Sequence, residues 1–360
     1  MARQLDRVFV LPNVGRSRLA ACHSFTFDFY YSLELIQQSS PNITFITQNQ
    51  FLQWNQEMKA IGAETPTAHL VHLYSEHIKS PKLASDLVDF EPYQRKFCLQ
   101  PFDNLRYSKE GDRVIEDIIV TPKYGFRSQE NQAKVTPAII RSLQSVKSDV
   151  MLIRCDSYWM IDGPNPPEFV YADHWAEQAK AAAGLLYPYI AIHWRMETAN
   201  PDYLYQCSQN LVKYIQRAKA RTGIANVYIS TDYPIDGGYQ RSGTFHNITQ
   251  EHHRAAELLK NSVNLYTWER IKSSLPFFNE TKFLTHGKDL DDAHGTLALT
   301  EKLILAYANW FVSGPRECCR FESSYTSQVV DERAKIIERQ PIDAATNSKL
   351  WNLRDFWNYE

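Results

Sequence analysis

Glycine is scarce in this chain: 13 of its 360 residues are glycine, whereas about 7% is usual in proteins. The chain contains neither a G-x-G-x-x-G fingerprint nor a G-x-x-x-x-G-K-[ST] P-loop. The usual glycine-rich motifs for dinucleotides and for nucleoside triphosphates are therefore absent.

Excess charge and long apolar runs are also missing. The formal net charge is −2, so the chain lacks the basic excess of a general nucleic-acid binder. Any anionic ligand must then be held by a few placed cations.

The longest nearly apolar stretch, Ala181–Ile192, has 12 residues and contains Pro188. A membrane span needs about 18 or more, and the apolar run in Met1–Leu11 is too short for a signal peptide. We therefore expect neither a membrane-spanning segment nor a signal peptide in the chain as written.

The six cysteines include no C-x-x-C pair, which argues against a zinc or thioredoxin-like site. The simplest interpretation is that they are buried free thiols. The alternative is one or two disulfides formed in a secretory lumen. Three N-x-[ST] sequons do not decide the compartment, because chance alone supplies about two in a chain with this asparagine content.

Metal-binding patterns are weak. Asp289-Leu290-Asp291-Asp292 offers a D-x-D, but it precedes a predicted helix, where acidic residues favour the helix dipole. The pair His252-His253, together with His286 and His294, lacks zinc-ligand spacing. We expect no metal site and interpret these histidines as surface or loop residues.

Strands alternate with helices in both halves of the chain, which predicts an α/β protein with two domains and mostly parallel sheets. The proline-rich Gly163–Pro167 is the best linker. We predict a first domain over residues 1–165, a second over 166–333, and a tail over 334–360 that packs back on the first. The predicted strands are Arg7–Leu11, Ile43–Thr47, Leu70–Tyr74, Val114–Val120, Val150–Arg154, Tyr189–Trp194, Asn226–Ser230, Val263–Tyr266 and Trp310–Val312. The predicted helices are Ser17–Gln38, Thr136–Val146, Pro201–Thr222, Glu251–Asn261, Thr296–Ala308 and one beginning near Ser324.

Three ionisable residues lie at the carboxyl end of the strand Tyr189–Trp194. Side chains alternate along a strand, so His193, Arg195 and Glu197 are expected on one face. An arginine fork and a histidine N–H suit phosphate oxygens. The functional interpretation is a diphosphate clamp, with Glu197 either orienting Arg195 or acting as a base. The structural interpretation is an Arg–Glu ion pair at a domain edge.

Two further strand ends carry polar groups. Ser323-Ser324-Tyr325-Thr326 precedes a helix whose free N–H groups would suit a phosphate, although ordinary N-capping explains the serines as well. Asp232, in Ser230-Thr231-Asp232-Tyr233-Pro234, either accepts a hydrogen bond from a ribose or base, or caps the turn before Pro234.

These segments resemble, in order, motifs of the GDP-fucose O-fucosyltransferase superfamily. Tyr189–Glu197 resembles its H-x-R motif, in the form closest to plant- and fungal-type members. Val227–Pro234 resembles the strand that follows, and Phe321–Arg333 resembles the late S-S-F-[ST] segment with its arginine-containing helix. Val8–Arg16 is similar to the N-terminal strand and loop. The similarity is most specific in residues 189–333.

The resemblance implies a GT-B fold, with two Rossmann-like domains facing a cleft. It implies inverting transfer of fucose from GDP-fucose to a protein or glycan hydroxyl, without an obligatory metal or other cofactor, and suggests the secretory pathway. His193 and Arg195 would bind the diphosphate, Arg195 would stabilise the leaving GDP, and Glu301 would face guanine. The remaining donor-contacting residues implied by the resemblance are Ser323, Ser324 and Tyr325 in the second domain and Asn13, Gly15 and Arg16 in the first.

The chain departs from the animal enzymes of this superfamily. They usually continue H-x-R with G-x-D-W, whereas Met196-Glu197 stands here, and Tyr325 replaces a phenylalanine. Arg16-Ser17 also differs in the loop that helps define the acceptor side, so acceptor and base stay open, with Glu197 the candidate base. Two alternatives remain: a GT-B transferase that uses another sugar nucleotide, and a nucleotide-binding or interaction module without catalysis.

Overall fold

The structure is a computed structural model. The chain divides into two compact units, Met1–Ala172 and Asp173–Glu360. The predicted linker Gly163–Pro167 lies outside the described residues, as does the chain beyond Arg339. The structure describes residues 2–15, 18–19, 25–64, 66–75, 106–107, 109–110, 113–114, 116–121, 137, 139–141, 143–155, 169–197, 199–237, 245, 247–275, 290–313, 318 and 324–339.

The N-terminal unit is mixed α/β, and its longer strands are all parallel. Strand β5 pairs with β10 on one side and with β6 and β9 on the other, while β1 pairs with β4. Two short antiparallel hairpins, β2–β3 and β7–β8, are added. The strands are β1 (Phe9–Leu11), β2 (Val14–Gly15), β3 (Arg18–Leu19), β4 (Phe45–Thr47), β5 (Thr67–Ser75), β6 (Arg106–Tyr107), β7 (Lys109–Glu110), β8 (Arg113–Val114), β9 (Glu116–Thr121) and β10 (Val150–Cys155). The helices are a 3₁₀ turn (Ala2–Leu5), α1 (Phe27–Tyr30), α2 (Leu33–Ser39) and α3 (Gln48–Ala60), and the described residues between 137 and 144 are also helical.

The prediction of one long helix over Ser17–Gln38 is wrong. The chain after Gly15 turns back as the β2–β3 hairpin, and Tyr31 is extended between two short helices. Aromatic, serine and threonine residues dominate this segment, and these favour strands, caps and turns over helix interiors. Ser32 starts the next helix by accepting a hydrogen bond from the Leu35 N–H.

The elements predicted for the C-terminal unit are present, and the helices Asp173–Leu186 and Trp268–Ile271 are additional to them. The helix Pro201–Thr222 starts where expected, with the Asn200 side chain accepting a hydrogen bond from the Asp202 N–H, and it ends at Gly223, whose φ of 74° is left-handed. The strands are β11 (Tyr189–Trp194), β12 (Asn226–Thr231), β13 (Asn264–Tyr266) and β14 (Trp310–Ser313). The helices are α4 (Asp173–Leu186), α5 (Pro201–Thr222), α6 (Gln250–Ser262), α7 (Trp268–Ile271), a 3₁₀ turn (Lys272–Ser274), α8 (Leu290–Tyr307) and α9 (Ser324–Arg339), which continues past the predicted boundary at 333.

The sheet of this unit has the order β13-β12-β11-β14, with every pairing parallel. The chain thus moves outward from β11 to β13 and then returns to the other side of β11. Doubly wound nucleotide-binding folds share this order over their first four strands. Their ligands bind outside the carboxyl ends of the strands, where the order reverses. The carboxyl ends of β11 and β14 therefore mark the expected binding position.

Both faces of β11 are covered. Ile190, Ile192 and Trp194 lie in an apolar core with residues of α5 and α6, and each fully buried side chain of this kind stabilises the fold by about 1.5–3 kcal/mol. On the other face, the Tyr189 hydroxyl donates to the Ile304 carbonyl of α8. The alternation of faces predicted for β11 is observed.

A disulfide joins Cys207 on α5 to Cys318, which follows β14. The interpretation of all cysteines as free thiols is therefore wrong for this pair. Sequence spacing gave no sign of it, since the two residues are 111 positions apart. Within the described part of the chain, no helix has the length and apolar character to span a membrane.

Candidate functional site

His193 lies at the carboxyl end of β11, in register with Ser230 of β12 and Ser313 of β14. Its Nδ1 lies 2.8 Å from Thr326 Oγ1, and its ring centre lies 4.8 Å from that of Tyr325. The structure thus brings the end of the strand against the first turn of α9, at the point where the strand order reverses.

Burial strongly affects His193, which is 7% exposed. Desolvation, with a smaller contribution from the charge of Arg195, lowers the pKa of His193 to about 3. The ring is therefore neutral at physiological pH, with one nitrogen donating and the other accepting. If the Thr326 hydroxyl donates to Nδ1, the hydrogen on Nε2 is available to a ligand.

Arg195 and Glu197 form an ion pair just beyond the strand. The Arg195 side chain is 24% exposed, whereas that of Glu197 is 1% exposed. Arg195 Nε is buried and has no hydrogen-bond partner among the described residues. Of the two roles predicted for Glu197, this geometry favours orienting Arg195, because a carboxylate that faces a guanidinium inside the protein is poorly placed to meet an acceptor.

Asp232 follows β12 and faces the neighbouring strand end. Its Oδ1 accepts a hydrogen bond from the Met196 N–H at 2.8 Å, and its Oδ2 accepts one from the Glu197 N–H at 3.0 Å. Burial raises the pKa of Asp232, although the two backbone N–H groups act in the opposite direction. The turn before Pro234 is instead capped by Thr231, whose Oγ1 accepts from the Tyr233 N–H. A direct contact between Asp232 and a nucleotide stays a prediction.

Glu301 lies on α8 beneath the same strands and is 5% exposed. Its carboxylate accepts hydrogen bonds from the Tyr228 and Ser230 hydroxyls, each at 3.3 Å. These two partners were not singled out from the sequence. The alternation along β12 could have placed them on the face toward α8. The predicted contact of Glu301 with guanine is not tested by this geometry.

Tyr325 is tied to α8, since its hydroxyl donates to the Ala298 carbonyl at 2.9 Å. Ser324 is the first residue of α9. Ser323 lies outside the described residues. The Trp194 indole N–H donates to the Cys318 carbonyl at 2.9 Å, which holds the segment after β14 beside the end of β11.

The first-domain candidates belong to the N-terminal unit. Asn13 follows β1 and is buried; its N–H donates to Gln48 Oε1 at 3.1 Å. Asn13 Oδ1 is buried without a partner in the described part of the chain. Gly15 ends the short strand β2, and Arg16 lies outside the described residues.

Two other expectations concern metals and histidines. No group of three or more histidine, cysteine, aspartate or glutamate side chains among the described residues could hold a metal ion. Asp289 lies outside those residues. The expectation of a surface position is wrong for His252, which is buried with its ring against Phe245. Its Nδ1 accepts a hydrogen bond from the Thr249 N–H in the capping box of α6.

Of three comparisons with known proteins, the one with solved structures gives matches. No family model matches the chain, and no curated protein matches it in sequence. Among solved structures, the crystal structure of POFUT1 in its apo form is 15% identical, with a TM-score of 0.46, covering 93% of this chain and 88% of that chain. The crystal structure of POFUT1 in complex with GDP-fucose is 14% identical, with a TM-score of 0.45, covering 92% and 86%. Because these values are low, the likeness carries no conclusion about activity or substrate.

Proposed function

We propose that the protein is an inverting glycosyltransferase of the GT-B type that transfers fucose from GDP-fucose to a hydroxyl of a protein or glycan. The observation that carries the proposal is the 2.8 Å contact between His193 Nδ1 and Thr326 Oγ1. It joins the two motifs that resemble the fucosyltransferase superfamily at the nucleotide-binding edge of a doubly wound sheet.

The donor diphosphate would lie between Arg195 and the start of α9. The Arg195 side chain is partly exposed, and its guanidinium is a planar fork of donors that matches phosphate oxygens. The first N–H groups of α9 carry the positive end of the helix dipole. Ser324, the first residue of this helix, and Ser323, which precedes it in the sequence, would add hydroxyl donors.

The chemistry follows from this placement. The bond between fucose C1 and the β-phosphate oxygen breaks, and the acceptor oxygen bonds to C1 from the opposite face as its proton passes to a base, either Glu197 or a solvent water. The charge that grows on GDP is stabilised by Arg195 and the helix N–H groups. The ion pair supports an orienting role for Glu197; a role as base requires that it release Arg195 and reach the acceptor hydroxyl. We expect no metal to be required, because these groups meet the charge of the leaving diphosphate.

Other parts of the proposal come from the resemblance. Glu301 would select guanine, and Asn13, Gly15 and Arg16 would approach the donor from the first domain. The unpartnered Oδ1 of Asn13 is consistent with a ligand donor nearby. The Cys207–Cys318 disulfide supports folding in an oxidising, secretory compartment.

A donor-binding screen tests the proposal. GDP-fucose, GDP-mannose, UDP-GlcNAc and GDP are titrated against the purified protein in the presence and absence of EDTA. GDP-fucose and GDP are expected to bind, with EDTA having no effect, and transfer to a glycan or glycoprotein acceptor is then read by mass spectrometry. Preference for another sugar nucleotide would indicate a different transferase, binding without transfer would indicate an inactive module, and no affinity for any guanine nucleotide would refute the proposal.

A further inference from the structure

The turn after β11 pairs with no strand among the residues that the structure describes. The ladder between β11 and β12 ends at Trp194 and Thr231, and the backbone beyond it carries Arg195 and Glu197. Two N–H groups of this turn, those of Met196 and Glu197, donate to the two carboxylate oxygens of Asp232. Asp232 therefore extends the attachment between the two strands past the end of their ladder.

A carboxylate suits this position better than its neutral analogue. Asp232 is 8% exposed, and a buried carboxylate needs hydrogen bonds to compensate for lost hydration. The two N–H donors converge on two acceptor oxygens, an arrangement that only an acceptor-only group satisfies completely. An asparagine amide can accept one of these bonds, but its NH₂ group would face the other N–H.

The same turn is fixed from the opposite side. The Met196 side chain is buried in the apolar core against α5 and α6, and the Ala199 N–H closes the turn on the Met196 carbonyl at 3.0 Å. With Met196 fixed, the remaining freedom of the turn lies in the backbone that carries Glu197. Through the ion pair, this backbone path also determines the position of the Arg195 guanidinium. The bonds to Asp232 restrict that path.

We infer that Asp232 is a positioning residue for the diphosphate site: by holding the two peptide groups on either side of Met196, it sets the direction in which Arg195 faces the phosphates. This inference rests on the proposed function. It assigns Asp232 a role that requires no contact with the donor nucleotide, and it differs in its consequences from a hydrogen bond to the ribose.

Two ligands separate these roles. The affinities of GDP and of inorganic pyrophosphate, which has no ribose, are measured by calorimetry for the wild type and for Asp232→Asn. If Asp232 positions Arg195, both affinities fall by the same factor, about tenfold to a hundredfold. A loss confined to GDP would overturn the inference in favour of a ribose contact, and unchanged affinity for both ligands would also overturn it.

Matched variants complete the test. Thr231→Val removes the neighbouring cap on Tyr233 and is expected to leave both affinities within about twofold. Asp232→Asn added to Arg195→Ala should cause no further loss, because the group it positions is gone; an additive loss would contradict the inference.

If Asp232→Asn does not fold, Asp232→Ser, which can still accept one bond, serves the same comparison. Wild-type protein that binds neither ligand would refute the proposed function and this inference with it, whereas normal wild-type binding with an unaffected variant refutes the inference alone.

Discussion

Two arginines of the C-terminal unit occupy opposite kinds of environment. Arg333 of α9 is 5% exposed, and its Nη1 donates to the carbonyls of Leu305, Ala306 and Ala308 at the end of α8, at 3.3, 2.9 and 2.7 Å. Arg195 lies at the carboxyl edge of the sheet, pairs with one carboxylate and keeps 24% of its side chain exposed.

The difference shows why Arg195, and not Arg333, is the candidate for binding an anionic ligand. Both residues have a buried Nε without a partner among the described residues, so an unpaired donor alone does not identify a site. Arg333 satisfies the last carbonyls of a helix, which is a structural task. Arg195 is distinguished by partial exposure and by its place where the strand order reverses.

The largest expected effect separates these two arginines by function. Arg195→Ala should reduce donor affinity or transfer at least about a hundredfold, since one lost charge-stabilising donor costs about 2.7 kcal/mol or more in such sites. Its melting temperature should stay near that of the wild type. Arg195→Lys, which keeps the charge and loses the fork, should recover only part of the loss. Normal activity of Arg195→Ala would remove the basis for the clamp.

The reverse pattern is expected for Arg333→Met. The two hydrogens of Nη1 are shared among three buried carbonyls; at about 1.5 kcal/mol for each hydrogen bond from a charged donor, the free energy of unfolding should fall by about 3 kcal/mol. The GDP affinity of the folded fraction should stay close to that of the wild type. Urea denaturation and calorimetry measure the two quantities, and a variant with unchanged stability would show that the helix-end contact is not structural.

Loss of the Cys207–Cys318 disulfide, like loss of Arg333, is expected to change stability and not GDP affinity. Cys207→Ala with Cys318→Ala should lower stability by about 2–4 kcal/mol and leave GDP affinity nearly unchanged. Non-reducing peptide mapping of the wild type should recover the peptides containing these two residues as a linked pair. Recovery of both as free thiols would contradict the structure here.

The smallest expected effect is the change in stability that His193 causes between pH 6 and 4.5, about 2 kcal/mol at most. Its folded pKa of about 3 lies below the ordinary value of 6.5, so below pH 6.5 the unfolded chain binds a proton that the folded protein does not. Stability is therefore complete above that pH and decreases as pH falls toward 3, by about 1.4 kcal/mol per pH unit at most. In His193→Gln this contribution should vanish. Equal slopes between pH 6 and 4.5 for both proteins would show that the ring is not held neutral.

Local signals predicted the C-terminal unit well. Asn200-Pro201 and Gly223 mark the two ends of α5, and alternation along β11 separates His193 from the core residues. In the N-terminal unit, α3 was not predicted, although the T-x-x-Q capping box that starts it is visible in the sequence. The hairpin after Gly15 depends on contacts with Phe25 and its aromatic neighbours, which local propensity does not encode.

The sequence allowed the residues of the candidate site to be named, but not the contacts between them. Strand ends and a helix start can be located from periodicity, so His193, Arg195 and Thr326 could be named. The task of Asp232 could not, because it depends on the register between β11 and β12 and on the backbone direction of a turn. The disulfide and the Arg333 contacts likewise join residues that only the folded chain brings together.

The most direct measurement compares GDP with guanosine on the wild-type protein by isothermal titration calorimetry. If His193, Arg195 and the start of α9 together bind a diphosphate, GDP should bind at least about a hundredfold more tightly than guanosine, and Arg195→Ala should remove most of that difference. Equal affinities for GDP and guanosine, or no binding of GDP, would contradict a diphosphate site at this edge of the sheet.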